Sequence, residues 1–315
     1  MKIAVLMGGP SSEREVSLMS GRQVAGALRR LGHNVIELDP DEDGILALLT
    51  NRPDVVFIAL HGRYGEDGCI QGLLELAHIP YTGSGVLASA LAMDKIMAKV
   101  VFRSLGIPTP EWVTVTRSDA GVGSPCADDA LLQVGLPCVV KPSAQGSTVG
   151  VTVVRDAESL ADAVHLALSY GDQALIEQFV TGTEITVGVL GDSPARALPT
   201  LEIVSKKPTY DWEAKYTPGM SEHIIPARVP EEVRAKCQDL AVRAHTALGC
   251  RGFSRVDMIA TPSGEVQVLE VNTVPGLTAV SLLPDAARAV GISFEQLVQM
   301  AVDGALAVHA GRTVE

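Results

Sequence analysis

Cysteine is scarce and irregularly spaced in this sequence. The chain has five cysteines in 315 residues, and no two of them form a C-x-x-C pair. An odd number without paired spacing argues against a disulfide framework, and the missing C-x-x-C pairs argue against a zinc site. The pattern is typical of reduced thiols in a cytoplasmic protein. The five residues are Cys69, Cys126, Cys138, Cys237 and Cys250.

Long hydrophobic runs are also lacking. The apolar run at residues 3–7 is shorter than the hydrophobic region of a signal peptide, and Gly8-Gly9 follows it directly. No stretch reaches the roughly 20 apolar residues that a membrane-spanning helix needs. We therefore expect no secretion signal and no membrane partner.

Basic residues are outnumbered by acidic ones. Lys and Arg total 25 against 37 Asp and Glu, which gives a net charge of −12 and a pI of about 5.1. This balance argues against nucleic acid as a partner, because neutralising phosphates requires clustered Lys and Arg. It leaves room for a small anionic ligand in a local cationic pocket. With 47% hydrophobic and 20% charged residues, a chain of this length is expected to form two or three globular domains.

The common phosphate-binding motifs are missing as well. Neither G-x-G-x-x-G nor G-x-x-x-x-G-K-[ST] occurs, so Gly8-Gly9 after a strand-like run is a weak nucleotide signal. Glu13 follows in the same loop and allows two interpretations. It is either an acid in the first turn of a helix or a buried acid at a cleft that binds a substrate ammonium group. His61 lies at the end of an apolar strand, and we interpret it as a polar residue of the cleft in preference to a catalytic base.

We predict a mixed α/β (α+β) fold in three segments, residues 1–94, 95–185 and 186–315. The first segment alternates strand-like and helix-like runs, which predicts a Rossmann-like parallel sheet with right-handed crossovers. Ligands of such sheets bind at the carboxyl ends of the strands, where the polar loops 8–15 and 61–68 fall. The strand-like runs are 2–7, 34–38 and 54–60, and the helix-like runs are 16–31 and 70–77.

The second segment carries two polar signals. Lys141 ends a strand-like run and precedes the Gly/Ser-rich loop 142–150. Such a loop is either an ordinary flexible hairpin or a phosphate cover that offers backbone N–H groups beside a lysine. The apolar strand 174–180 is interrupted by Glu177-Gln178, which indicates a site at that edge, for example one that pairs with a purine.

The third segment contains a hairpin with four polar side chains. Arg255 and Asp257 lie two apart on one strand, and Glu270 and Asn272 lie two apart on the next. An even-length turn within residues 261–264 would place all four on one face. Two carboxylates and an amide oxygen suit Mg²⁺, whereas the alternative is a solvated face on which Arg255 neutralises one acid.

A polar stretch without periodicity, residues 205–228, lies between the strands of the third segment. It holds three aromatic residues, Tyr210, Trp212 and Tyr216, and three lysines that include Lys215. Its length and composition predict a binding loop or lid over an anionic site.

Seven motifs in register along the whole chain resemble the D-alanine–D-alanine ligase family of ATP-grasp enzymes. This resemblance implies a two-part ATP-grasp fold after the N-terminal domain. The motifs are Gly8-Gly9-x-Ser-x-Glu-Arg-x-Val-Ser, His61-Gly-x-x-Gly-Glu-Asp-Gly, Met93-Asp-Lys, Lys141-Pro-Ser with Gly146-Ser147-x-Val-Gly, Glu213-Ala-Lys-Tyr216, Arg255-x-Asp257 and Glu270-x-Asn272-x-x-Pro-Gly276.

The resemblance also implies roles for individual residues. Those expected to hold two Mg²⁺, with Mn²⁺ as a substitute, are Asp257, Glu270 and Asn272. Those expected to contact ATP are Lys95, Lys141 and Lys215 at the phosphates, Glu177 at the adenine and Glu184 at the ribose. Those expected at the first D-alanine are Glu13, His61, Ser147 and Tyr216. Those expected at the oxyanion and the second D-alanine are Arg255, the Gly276 N–H, Ser281 and the Leu282 N–H.

The implied reaction is the ATP-dependent, ADP-forming ligation of two D-alanine molecules through an acyl phosphate, for peptidoglycan precursors. Tyr216 favours D-alanine as second substrate, since Phe at that place is associated with acceptance of D-lactate. A cytoplasmic homodimer is expected. Two alternatives stay open, namely another ATP-grasp ligase of carboxylates and a non-catalytic nucleotide-binding protein. The intact set of lysines and metal-type ligands argues against the non-catalytic nucleotide-binding protein.

Overall fold

Three β-sheets, one in each part of the chain, form the framework of this computed structural model. The structure describes residues 1–118, 126–205, 221–278 and 280–312. Lys215 and Tyr216 and most of the predicted lid therefore lie outside the described residues. Among the described residues, no helix is both long enough and apolar enough to cross a bilayer.

The first sheet is parallel, as predicted, with β1 at its centre and the order β2-β1-β3. Residues Ile3, Val5, Val55 and Phe57 are fully buried, which is expected when helices cover both faces of a parallel sheet. The elements of this part are β1 (Lys2–Leu6), α1 (Arg14–Arg30), β2 (Asn34–Leu38), α2 (Glu42–Asn51), β3 (Val55–Ile58), α3 (Cys69–Leu76) and α4 (Val86–Met93).

Helix α5 (Lys95–Ser104) begins at the lysine of the Met93-Asp-Lys motif. It directly follows α4, which the sequence did not reveal. Asp94 separates the two helices and is the N-cap of α5, because its carboxylate accepts hydrogen bonds from the N–H groups of Ile96 and Met97 at 3.0 and 3.2 Å. Such a cap contributes about 1 kcal/mol and fixes where Lys95 leaves the loop.

The second sheet is antiparallel, with the order β4-β7-β5-β6. Val140 and Ile176 pack in a core with Ala163 and Ala167 of the covering helix α7. Because side chains alternate along a strand, Lys141 and Glu177 point to the opposite face. The elements are β4 (Trp112–Thr116), α6 (Cys126–Val134), β5 (Cys138–Pro142), β6 (Thr152–Val154), α7 (Leu160–Leu168) and β7 (Gln173–Gln178).

The third sheet has the order β11-β10-β8-β12-β13, and β9 pairs with β8. Val256 and Met258 pack against Leu240 and Ala244 of helix α8, so Arg255 and Asp257 face away from that helix. The elements are β8 (Thr183–Leu190), β9 (Arg196–Ala197), β10 (Leu201–Ser205), β11 (Ser221–Ile224), α8 (Glu231–Ala247), β12 (Phe253–Ala260), β13 (Val266–Asn272), α9 (Leu282–Arg288) and α10 (Phe294–Arg312).

The β12–β13 hairpin confirms the predicted shared face but not its predicted cause. Arg255 pairs with Asn272 and Asp257 with Glu270. However, Ala260 pairs with Val266, so the loop is odd in length and by itself would put the two pairs on opposite faces. A β-bulge after Asp257 adds one residue to β13 and restores the register.

The two ends of the chain share one core. Val24 of α1 and Phe57 of β3 pack in the same cluster as Phe253 of β12 and Val302 of α10. Helix α5 packs with the third sheet, because Phe102 lies in the cluster of Val256. The predicted division at residues 94 and 185 remains a prediction, and β8 runs across the second boundary.

Candidate active site

Glu13 is a buried acid that meets the β5–β6 loop. It is the N-cap residue of α1 but makes no side-chain cap, and it is only 7% exposed. Its Oε1 instead accepts a hydrogen bond from the Ser147 hydroxyl, 134 residues away in sequence. Gly146 is needed here, because a Cβ on it would lie 2.5 Å from Glu13 Oε2. Of the two interpretations, the buried cleft acid is the one that this geometry favours.

His61 lies at the end of the first sheet in a second buried network. Its Nε2 lies 3.1 Å from Ser20 Oγ, which also accepts a hydrogen bond from the Leu277 N–H at 3.2 Å. Its Nδ1 lies 3.8 Å from Glu66 Oε1. These contacts orient the imidazole ring and connect the N-terminal loops to the segment after β13.

Glu66 is a site residue that the sequence did not single out. Its Oε2 accepts a hydrogen bond from the Gly62 N–H at 2.8 Å, while Oε1 receives none from any described residue. Burial raises the pKa of this carboxyl above its ordinary value, against the opposing effect of His61. Its place in the polar loop 61–68 was the signal that pointed to it.

Gly276 and Ser281 flank a tight turn after β13. The Ser281 hydroxyl oxygen accepts a hydrogen bond from the Thr278 N–H at 2.9 Å and lies 2.8 Å from Thr278 Oγ1. A Cβ on Gly276 would lie 2.9 Å from Ser281 Oγ, so any other residue here would require the Ser281 side chain to shift. Leu282 begins α9 directly afterwards.

Arg255 and Asp257 form a bidentate ion pair on the face of the hairpin that points away from α8. The Nε–Oδ1 and Nη2–Oδ2 distances are 2.9 and 2.7 Å, and the side chains are 13% and 17% exposed. Thr186, the partner of Asp257 on β8, donates a hydrogen bond to Asp257 Oδ1 at 2.6 Å. The ion pair of the alternative interpretation thus exists, but in a recess and not on a solvated face.

Glu270 and Asn272 lie beside a lysine from α5. Lys95 Nζ lies 3.2 Å from Glu270 Oε2 and donates a hydrogen bond to the Gln145 carbonyl at 2.7 Å. Asn272 Oδ1 accepts from the Val274 N–H at 3.1 Å. With Asp257, these residues supply only oxygen donors, two of them anionic, which fits the preference of Mg²⁺.

Lys141 and Glu177 are in contact on the face of the second sheet that points away from α7. Lys141 Nζ forms an ion pair with Glu177 Oε1, and Lys99 of α5 forms another with Oε2 at 3.1 Å. Burial alone raises the pKa of Glu177, but the charges of Lys141 and Lys99 outweigh it and hold the pKa below its ordinary value. Lys99 is a second residue that the sequence did not reveal.

The structure gathers most of the predicted residues into one cleft and leaves others outside it. Lys95 lines an adjoining recess with Glu270 and Asn272. Lys141 and Glu177 lie on the second sheet, and Glu184 lies on β8 opposite Ile259. The cleft is lined by Glu13, His61, Glu66, Gly146, Ser147, Arg255, Glu270, Asn272, Gly276, Val280, Ser281 and Leu282.

Two family models match the chain. The model described as D-ala D-ala ligase C-terminus matches residues 101–303, and the model described as D-ala D-ala ligase N-terminus matches residues 38–84. The D-alanine–D-alanine ligase of Moorella thermoacetica is 53% identical over 307 residues, which cover 97% of this chain and 99% of the relative. That of Pelotomaculum thermopropionicum is 50% identical over 308 residues, with 97% of each chain covered.

Solved structures show the same likeness. The D-alanine–D-alanine ligase of Bacillus anthracis in complex with ATP has a TM-score of 0.85 and 32% identity, with 99% of both chains covered. The corresponding enzyme of Coxiella burnetii has a TM-score of 0.84 and 28% identity, with 99% of this chain and 96% of that chain covered.

Proposed function

The chain belongs to the D-alanine–D-alanine ligase family, ATP-grasp enzymes that join two D-alanine molecules at the expense of ATP, and we propose how its own residues carry out that reaction. The observation that carries the proposal is the single cleft in which Glu13, Ser147, Arg255, Glu270 and Ser281 converge. These side chains come from all three parts of the chain. Polar side chains that served only stability would be expected to pair with one another within their own part of the chain, and not to line one open cleft together.

Glu13 is proposed to bind the ammonium group of the first D-alanine. The carboxylate is buried, already oriented by the Ser147 hydroxyl, and has a second oxygen, Oε2, beside Gly62 and Gly146. A charged acceptor that is fixed before binding loses little entropy when the ligand arrives. His61, held by Ser20, would line the same subsite, and Tyr216 is proposed to complete it.

Asp257, Glu270 and Asn272 are proposed to hold two Mg²⁺, for which Mn²⁺ would substitute. When bound, these ions would neutralise the charge of the ATP phosphates during phosphoryl transfer. Within the protein, Arg255 neutralises Asp257 and Lys95 neutralises Glu270. Metal-type ligands placed this close together would otherwise repel each other by about 4 kcal/mol at a surface-like dielectric.

The nucleotide is proposed to lie between the second and third sheets. Lys95, Lys141 and Lys215 would contact its phosphates, Glu177 its adenine and Glu184 its ribose. Lys95 supports this arrangement because its backbone N–H donates to the Ser143 carbonyl at 2.9 Å, which joins α5 to the end of β5. Lys95 and Lys141 are therefore both held near the carboxyl end of β5.

The carboxylate of the first D-alanine is proposed to accept the γ-phosphoryl group, giving an acyl phosphate and ADP. The amine of the second D-alanine then attacks the acyl carbon, and phosphate leaves. Arg255 and the Gly276 N–H would stabilise the tetrahedral oxyanion, where one donor is typically worth about 3–4 kcal/mol. Ser281 and the Leu282 N–H would hold the carboxylate of the second D-alanine.

The family membership also supports a homodimer in the cytoplasm as the working form. Cys69, Cys138, Cys237 and Cys250 are free, and the last three of them are buried. Free thiols are typical of a reducing compartment, where ATP is available. Sedimentation equilibrium measures the molar mass in solution and so tests the proposed homodimer directly.

The proposal is tested by phosphate release from ATP, Mg²⁺ and D-alanine. The protein should release phosphate with D-alanine alone, and D-lactate should not be required. Glu270→Ala should abolish turnover because it removes a proposed metal ligand. Glu265→Ala is the matched control, since Glu265 lies at the other end of the same hairpin and is exposed. Full turnover by Glu270→Ala would refute the assignment of the metal site.

A further inference from the structure

Lys99 is a fully buried lysine that the proposed reaction does not use. It lies on α5, one turn after Lys95, and its side chain is 0% exposed. Lysine is almost never buried this completely without partners, because removing an ammonium group from water costs several kcal/mol. Its position therefore requires a compensating interaction.

The Lys99 ammonium group has two hydrogen-bond acceptors and one ion-pair partner within 3.1 Å. Nζ donates hydrogen bonds to Thr109 Oγ1 at 2.6 Å and to the Pro110 carbonyl at 3.0 Å, and it lies 3.1 Å from Glu177 Oε2. Burial, opposed by Glu177, lowers the pKa of Lys99 to about 8. The residue is therefore mostly charged at neutral pH and cannot turn elsewhere without leaving these partners.

Glu177 is held between two lysines that differ in exposure. Oε2 is paired with Lys99, and Oε1 is paired with Lys141. Both lysine side chains are largely buried, but only that of Lys141 retains some exposure, 9% against 0%. Lys141 is also the one proposed to reach the nucleotide phosphates. Once it does so, Oε1 is released while Oε2 remains fixed.

We propose that Lys99 is a positioning residue for base recognition, which keeps Glu177 as an ionised acceptor for the exocyclic amino group of a 6-aminopurine. The inference rests on the proposed function, in which the base lies against Glu177. It adds a residue that determines which nucleotide is accepted.

The physical reason lies in what happens to Glu177 when Lys141 leaves. A buried carboxylate without any cation takes up a proton, because burial disfavours its charged form. A protonated carboxyl donates a hydrogen bond as well as accepting one, and so it no longer distinguishes an amino group from a carbonyl oxygen. With Lys99 in place, Glu177 stays an acceptor only and rejects a 6-oxopurine.

The test compares ATP with inosine triphosphate, which carries an oxygen in place of the 6-amino group. The ratio of kcat/KM for the two nucleotides should fall at least about tenfold in Lys99→Met, the effect of losing one charge-assisted hydrogen bond. The change should appear in the KM for the nucleotide, while kcat at saturating D-alanine stays within about twofold of the unmodified enzyme. An unchanged ratio, or an unmodified enzyme without preference for ATP, would overturn the inference.

Arg103→Met is the matched control. Arg103 lies one turn further along α5, and its guanidinium carbon is 3.8 Å from the centre of the Trp112 ring that Lys99 also approaches at 5.2 Å. It pairs with the exposed Glu111 at 2.6 Å, not with Glu177. Its removal perturbs the same helix and ring but should leave the nucleotide ratio unchanged. A loss equal to that of Lys99→Met would show that the effect is merely structural.

The double variant Lys99→Met/Glu177→Gln covers the case in which Lys99→Met does not fold. It removes both members of the Lys99–Glu177 ion pair, so that Lys141, the lysine proposed to reach the phosphates, is the cation that remains there. If Lys99 acts through Glu177, its nucleotide ratio should equal that of Glu177→Gln alone. A further tenfold loss would overturn the inference. Absence of phosphate release from the unmodified protein would instead refute the proposed function, and this inference with it.

Discussion

Replacing Arg255 by alanine should slow the reaction and at the same time tighten metal binding. Arg255 is proposed to stabilise the oxyanion, and it is bound to Asp257 through two hydrogen bonds of 2.9 and 2.7 Å. The substitution therefore removes a donor from the reaction and a competing cation from a metal ligand. Thr186 still holds Asp257 Oδ1 at 2.6 Å, so the carboxylate keeps its orientation.

The expected sizes follow from the burial of the pair. Losing one oxyanion donor typically costs about 2.7–4 kcal/mol, which corresponds to a kcat lower by about 100- to 1000-fold. The ion pair is only 13% and 17% exposed, so it exceeds the roughly 1 kcal/mol of a surface pair. Its removal should lower the free Mg²⁺ concentration at half-maximal rate by at least about fivefold, the equivalent of 1 kcal/mol.

Two measurements separate these effects. Phosphate release at saturating ATP and D-alanine, titrated with Mg²⁺, gives both kcat and the metal requirement. Binding of Mn²⁺, followed by electron paramagnetic resonance, gives the metal affinity without turnover. Arg251→Ala, just before β12, is the control and should change neither. A kcat loss accompanied by an equally weakened metal affinity would refute the reasoning, because Arg255 would then support the metal site and not compete with it.

Two further predictions concern acids in different settings. Glu13→Gln should lower kcat/KM for D-alanine by about 10- to 150-fold, because it removes a charge-assisted hydrogen bond to the substrate ammonium group. Glu15→Gln, which changes an exposed acid on the same helix, should leave kcat/KM unchanged. Equal kinetics for the two variants would contradict the assignment of Glu13 to the ammonium subsite. Hydrogen bonds from Arg228 hold the pKa of Glu202 below its ordinary value. The ion pair therefore stabilises the folded protein fully above about pH 4.3, and this stabilisation is lost as the pH falls through the lowered pKa. Glu202→Gln should therefore cost about 1 kcal/mol in urea unfolding at pH 7, a value kept small because Arg228 is 63% exposed, and less at pH 3.5; an equal loss at both pH values would rule out the ion pair as its cause.

Much of the fold was predictable because its signals are local. The alternation of apolar strands and amphipathic helices in residues 1–94 predicted the parallel sheet. The short helices α2, α4, α6, α7 and α9 were missed, since seven to ten residues carry few turns and so give a weak periodicity, although α3, with eight residues, was predicted. The hairpin shows a subtler limit. Its face was predicted correctly, but the five residues between Ala260 and Val266 and the compensating bulge after Asp257 were not visible in the sequence.

The candidate site was predictable only where motifs named its residues. The resemblance to the family pointed to Glu13, Ser147, Arg255 and Ser281, and the cleft brings them together. Glu66 belongs to one of the motifs, but the resemblance assigned it no role, and it gave no reason to select Lys99. Both side chains are buried in the folded protein, and burial depends on elements that are distant in sequence.

The sequence by itself determined the element types, the polar face of the hairpin and the residue types that phosphoryl chemistry needs. Only the tertiary structure decided that Glu13 meets Ser147 and that Lys99 and Lys141 share Glu177. The physical reason is that charges interact over a few ångströms, and the chain places these groups within that range only after three sheets have packed together. The residues around Lys99 in the sequence are those of an ordinary helix, yet in the folded protein its ammonium group is fully excluded from water.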